Sequence, residues 1–236
     1  MNVVIATWQA VQAHPLYLPF AWFFSGLTNV LVAIPSFVGA VRWLGKRRAL
    51  LLIASLSLFA FLIEGQALIT GWPYGGFYYS QLMGFKLFGL VPWSLPFAYV
   101  PLVLGAGYLS YTWMRNRWLR IVAIGLLLLA IDLAFDPLAT KLGFWVWSNP
   151  QGFHGVPWSN FFGWLVSGLL AGVIFTTVTN AKSASSRPPR LLVVSLLLFL
   201  VGVSLGNLLL QLWVPLLIGI SLLALVCYSY RYEIPR

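Results

Sequence analysis

Acidic side chains are nearly absent from this chain: Glu64, Asp132, Asp136 and Glu233 are the only four in 236 residues. Histidine is scarcer still, with only His14 and His154, and Cys227 is the single cysteine. One cysteine excludes an intramolecular disulfide. So few histidines and thiols leave no spaced ligand set of the kind a zinc or di-iron site needs, which disfavours oxygen chemistry at iron. There is no P-loop, and Gly105 and Gly107 fall inside a predicted helix, outside the strand–loop–helix setting of a nucleotide fingerprint. A Ser-His-Asp site would have to use His154, which no nucleophile elbow surrounds. The last predicted helix lacks lysine, so a retinal Schiff base is ruled out. Acid–base chemistry without a cofactor, or transport, remains.

What is plentiful is apolar surface. Hydrophobic residues make up 61% of the chain and charged ones 8%, against about a quarter charged in a soluble domain. Several runs reach the ~20 residues that cross a bilayer. The spacing predicts an all-α, polytopic membrane bundle with helices at roughly 18–41, 49–70, 94–113, 119–137, 159–180, 191–208 and 211–229, the last boundary being weak around Asn207 to Trp213. Residues 1–236 are expected to form a single membrane domain. Within it, 1–17 is an interfacial segment carrying Trp8, 71–93 and 138–158 are outer aromatic loops, and 181–190 is a polar linker. The first residues lack the basic start and apolar core of a cleaved signal peptide.

The net charge of +10 is a topology signal. Arg42, Lys46, Arg47 and Arg48 lie between the first two predicted helices, and Arg115, Arg117 and Arg120 between the third and fourth. Lys182, Arg187 and Arg190 lie between the fifth and sixth, and Arg231 and Arg236 follow the seventh, whereas the alternate loops hold only Lys86 and Lys141. The positive-inside rule then places the amino terminus outside and the carboxyl terminus in the cytoplasm. The basic face suits anionic lipid and is not a nucleic-acid footprint.

The two outer loops echo one another. Residues 75–97, GGFYYSQLMGFKLFGLVPWSLPF, and the stretch from Gly143 to Phe162 both open on Gly-Phe with further aromatics, and both reach Val-Pro-Trp-Ser before a helix starts. This suggests two parallel repeats, the second and third helices against the fourth and fifth, related by an axis along the membrane normal. Aromatics at an interface commonly form only an anchoring belt. A belt does not account for Asn149, His154, Asn160 and the repeated Gly and Pro, which would let the second loop fold back and line a cavity.

Three of the four acids fall within hydrophobic helices, where an ionisable group costs roughly 2.5–3.5 kcal/mol even on insertion scales. Glu64 lies sixteen residues past Arg48 and Asp136 sixteen past Arg120, so at ~1.5 Å per residue both sit about 24 Å above the basic interface. Asp132 precedes Asp136 by one helical turn, with Cβ atoms about 5–6 Å apart on one face. Carboxyls this close cannot all ionise cheaply in a low dielectric; a protonated one can donate while an ionised neighbour acts as base. The plainer alternatives are that Asp136-Pro137 ends a helix and that Asp136 pairs with Lys141. Aromatic faces beside such an acid would also stabilise a transient cation.

The pattern Asp132-x3-Asp136-Pro137, then Gly143-Phe-Trp145-Val-Trp147, then Gly155-Val-Pro157-x2-Asn160-Phe-x-Gly163-Trp164, resembles the carotenoid biosynthesis family of integral-membrane carotenoid 1′,2′-hydratases, of the gamma-carotene 1′-hydratase and bisanhydrobacterioruberin hydratase type. Glu64-Gly65, Tyr74-Gly75 and Tyr78-Tyr79 resemble its first half, so the likeness covers roughly residues 20–225. The repeated architecture also looks like that of small heterodimeric lycopene cyclases. The resemblance implies water addition across the terminal double bond of an acyclic carotenoid end such as that of lycopene or gamma-carotene, with no redox cofactor. It implies a prokaryotic cell membrane, a lipophilic carotenoid substrate and other enzymes of the pathway as partners. Asp132 and Asp136 would then be the acid and the water-activating group in either order, and Glu64 would tune them or orient water. Trp145, Trp147 and Trp158 would line the cation site with Asn160 as a polar partner, and Tyr78, Tyr79, Trp93 and His154 would complete the substrate-binding set. A cyclase would use the same protonation with an internal alkene as the trap. A proton-coupled transporter would also match carboxyl depths, but it should expose them alternately to both sides.

Overall fold

Each long apolar run becomes one helix, because a chain in lipid must satisfy its backbone groups internally. The computed structural model describes residues 17–180 and 187–231; the expected interfacial segment with Trp8, His14, most of the 181–190 linker and Glu233 lie outside them. The described residues form α1 (Tyr17–Leu44), α2 (Lys46–Thr70), α3 (Leu95–Trp113), α4 (Arg117–Leu142), α5 (Trp158–Asn180), α6 (Leu191–Leu209) and α7 (Trp213–Arg231). All but α3 contain a stretch long and apolar enough to cross a membrane. This is an all-α polytopic bundle, and the protein is an integral membrane protein. The basic clusters Lys46–Arg48 and Arg115–Arg120 gather at one end of it and the aromatic loops at the other.

α3 falls short in apolarity because lipid is not what it meets. Every residue from Tyr99 to Ser110 is buried, with α1, α2, α4, α5 and α6 packed around it. Gly107 gives way to the ring of Phe175, and a Cβ on Gly105 would stand 2.6 Å from the Leu196 Cβ. Small residues are what allow apolar helices to approach this closely.

The most extensive helix contact joins α4 to α5. A Cβ on Gly168 would lie 3.0 Å from the Gly125 Cα, and one on Gly172 would lie 3.1 Å from the Ile121 carbonyl. Gly168→Leu is therefore expected to prise α5 from α4 and to lower stability by about 1–3 kcal/mol. Residual activity after graded heating in detergent would measure this, the variant losing activity at lower temperature than the wild type.

α4 does not end at Asp136-Pro137, as the sequence suggests, but runs on to Leu142. The proline ring removes one helical hydrogen bond, whereas unwinding the turn in an apolar setting would strand several more. α6 and α7 separate at Leu210, Gln211 and Leu212, with Gln211 at φ 58°.

At the aromatic end, strands cap the bundle: β1 (Phe77–Tyr79), β2 (Lys86–Leu87), β3 (Val91–Pro92), β4 (Trp145–Trp147), β5 (Gly152–Phe153) and β6 (Val156–Pro157). β1 and β4 pair antiparallel, with Phe77 opposite Trp147 and Tyr79 opposite Trp145. In each loop this strand is followed by a hairpin that ends on Val-Pro, then Trp-Ser at the next helix. The two echoing segments thus have the same local order, and they meet strand to strand.

Candidate active site

α2 and α4 each end on a left-handed glycine, Gly71 at φ 78° and Gly143 at φ 75°. Glu64 and Asp136 each stand seven residues before that glycine, about 10 Å down the helix. Asp132 lies one turn deeper than Asp136 on the same face of α4. All three carboxyls are buried and close enough to act on one another electrostatically.

One side chain organises the aspartates. The Asn160 amide donates to Asp132 Oδ2 at 2.8 Å and to Asp136 Oδ2 at 2.7 Å, using both of its N–H groups. Asn160 stands in the first turn of α5, where the helix dipole favours negative charge. The glycine seam between α4 and α5 brings that turn within reach. The partner of Asp136 is thus Asn160 rather than Lys141, which is exposed.

Glu64 is held separately. The Tyr79 hydroxyl, on β1, donates to its Oε2 at 2.9 Å. Burial pushes the phenols of Tyr74 and Tyr79 well above their ordinary range, with the Glu64 charge adding to it, so both remain neutral O–H donors.

These groups face a cavity of about 590 Å³ between the bundle and its cap. Glu64, Asp136 and Asn160 line it, together with Tyr79, Trp145 and Trp147 from the paired strands. Asp132 is outside the lining, behind Asn160. The aromatics interlock: Tyr79 meets Trp145 edge-on at 6.0 Å, Trp145 meets Phe135 at 5.5 Å, and Phe77 lies 5.0 Å from Trp147.

Trp158, Trp93, Tyr78 and His154 are not in the lining. Trp158 is 66% exposed, since it precedes Asn160 by two residues and so projects from another side of α5. Tyr78 alternates with inward-facing Phe77 and Tyr79 along β1 and points out, as a strand's period of two requires. Trp93 packs against Gly26 of α1. His154, at φ 54° in the β5–β6 turn, is exposed, as is Asn149.

The lining also holds Tyr99, Asn29, Ser94, Phe135, Trp164 and Phe199, none of which the sequence reading assigned to the site. Tyr99 and Tyr74 each bring a buried hydroxyl that has Ser167 as a neighbour but makes no well-formed hydrogen bond among the described residues, and the Trp145 indole N–H and Asp132 Oδ1 also lack one there. Buried polar atoms are rarely left so. Two phenols and an indole thus bring O–H and N–H groups into the same lining as the Glu64 and Asp136 carboxyls.

The fold and this geometry describe a membrane-embedded helix bundle with a carboxyl cluster facing an aromatic chamber. Residues 27–226 match the family model for carotenoid biosynthesis proteins, and the chain belongs to that family. It is 40% identical over 142 residues to the bisanhydrobacterioruberin hydratase of Haloarcula japonica, a segment covering 58% of this chain and 48% of that relative. The match thus spans about half the length of the relative. No solved structure matches the chain.

Proposed function

We propose that the protein is a carotenoid hydratase of a prokaryotic cell membrane, its basic end in the cytoplasm, adding water to the terminal C1′=C2′ double bond of an acyclic carotenoid end. The observation that carries this reading is the Asn160-bridged Asp132–Asp136 pair opening, through Asp136, onto an aromatic chamber. A carboxyl of the pair gives its proton to the less substituted alkene carbon, and a tertiary carbocation forms on the other. Water adds to that carbon and its extra proton passes to a carboxylate, so the net change is alkene plus water to tertiary alcohol. No redox cofactor takes part in this scheme.

Asp136 fits the role of donor, since it meets the chamber, and Asp132 that of a reservoir behind it. The faces of Trp145 and Trp147 suit the cation by quadrupole attraction. The hydroxyls of Tyr74 and Tyr99 suit the attacking water, with Glu64 as acceptor of its proton. Tyr79→Phe would take from the buried Glu64 carboxyl its Tyr79 donor, a loss of about 1–3 kcal/mol. We expect a drop of about tenfold in hydrated product with unchanged protein in the membrane, read by pigment chromatography against an immunoblot.

Expression in a host that accumulates lycopene or gamma-carotene tests the reading as a whole. Hydration raises the pigment mass by one water per reacted end. A cyclase would change retention without changing mass, and a transporter would change neither.

A further inference from the structure

Besides the chamber, a second cavity of about 230 Å³ lies between α1, α3, α4 and α6. Phe135 and Phe199 line both spaces, their rings meeting edge-on at 4.9 Å, so the two are neighbours across an aromatic threshold. The second cavity is mostly apolar, with Thr28, Asn29 and Ser195 as its polar residues, and Thr28, Leu198 and Gly202 in its wall are exposed on the lipid-facing surface.

α1 and α6 explain its shape. Towards the basic end they are clamped: Ser36 Oγ donates to the Leu192 carbonyl at 2.8 Å, and the Ser36 N–H donates to Ser195 Oγ at 3.1 Å. A Cβ on Gly39 would lie 2.8 Å from the Leu192 nitrogen. Two turns further along α6 the spacing has opened, and a Cβ on Gly202 would meet none of the described residues within 4 Å. Glycine inside a helix is less favourable than alanine, and at Gly202 no packing among the described residues calls for it.

We propose that this cleft between α1 and α6 is the lateral entrance through which the reacting end of a lipid-dissolved polyene reaches the carboxyl chamber. The rest of the chain stays in the cleft and the bilayer. Continuity with the chamber, apolar walls and an opening onto lipid all favour that occupant. The inference rests on the proposed hydratase reading for the identity of the chemistry, and on the cavity for the path. It follows that a two-ended substrate has its ends processed in separate binding events.

The test is Gly202→Phe, which puts a ring into the cleft from a helical position with ordinary backbone angles. Leu217→Phe, on the exposed face of α7, is the control for a bulky lipid-facing change. Each is expressed in a carotenoid-making host, and two quantities are read: pigment retained by the detergent-purified protein and hydrated product in the cells. We expect Gly202→Phe to lower both about tenfold and Leu217→Phe to leave both at wild-type values. Equal retention and product in Gly202→Phe and wild type would overturn the entrance, as would equal losses in the control. If the wild type retained carotenoid without hydrating it, the function would fall while the retention ratio still decided the entrance. Should Gly202→Phe not accumulate, Leu198→Trp fills the same cleft from an exposed side chain, with the same expected losses.

Discussion

Asp136→Asn is expected to reduce hydrated carotenoid by 100-fold or more while the protein inserts normally. Positioned general acids contribute typically about 10²–10⁴-fold, and Asp136 is the member of the aspartate pair that meets the chamber. Asparagine keeps the shape of the side chain but has no carboxyl proton to give. It also turns an acceptor for the Asn160 amide, now at 2.7 Å from Asp136 Oδ2, into a group that can oppose it with N–H. Asp132→Asn should also lower yield, by less, since Asp132 acts from behind Asn160. Pigment extraction from matched cultures, normalised to membrane protein, measures both. Wild-type yield from both variants would sink the assignment.

Asn160→Leu has the second large effect, and it reaches stability as well as chemistry. Both aspartates would lose their side-chain donor in a buried setting. Leaving a buried acceptor unsatisfied costs about 1–3 kcal/mol, so we expect faster thermal inactivation in detergent and no detectable product. The double variant Asn160→Leu with Asp132→Leu distinguishes the two effects. Removing an acid together with its donor leaves fewer orphaned polar atoms, which can be nearly neutral. The double variant should therefore recover much of the thermal stability and none of the activity. Recovery of both would mean that the cluster only holds α4 to α5.

The helices were largely legible, because a lipid-spanning run of about 20 apolar residues has few other fates. The Asp132–Asp136 pairing and the matched depth of Glu64 followed from helical spacing, and the family from the Asp-Pro, Trp-Val-Trp and Gly-Val-Pro-x2-Asn patterns. What stayed hidden depends on tertiary neighbours. Strands of two or three residues carry too little periodicity to announce that β1 would pair with β4. Trp158 and Trp145 read alike as loop tryptophans, and only the first turn of α5 decides that Trp158 faces out while Asn160 faces in. Tyr99 sits in a helix that reads as one more span, and its burial follows from α3 being ringed by five others. Its one visible signal was an excess of Tyr, Gly and Pro, which suits a helix packed against protein better than one against lipid. Gly202 gave no sign at all, since an open glycine and a packed one are the same letter.

The central claim is that the buried carboxyls deliver a proton to an alkene carbon and that water traps the cation. It is tested most directly by incubating the purified protein with an acyclic carotenoid in deuterated, oxygen-18-labelled water and locating both labels in the product by fragmentation mass spectrometry. The prediction is one carbon-bound deuterium beside the new alcohol and one labelled oxygen in it per reacted end, with neither in the Asp136→Asn variant. A product alcohol whose oxygen is unlabelled, or whose neighbouring carbon carries no deuterium, would contradict it.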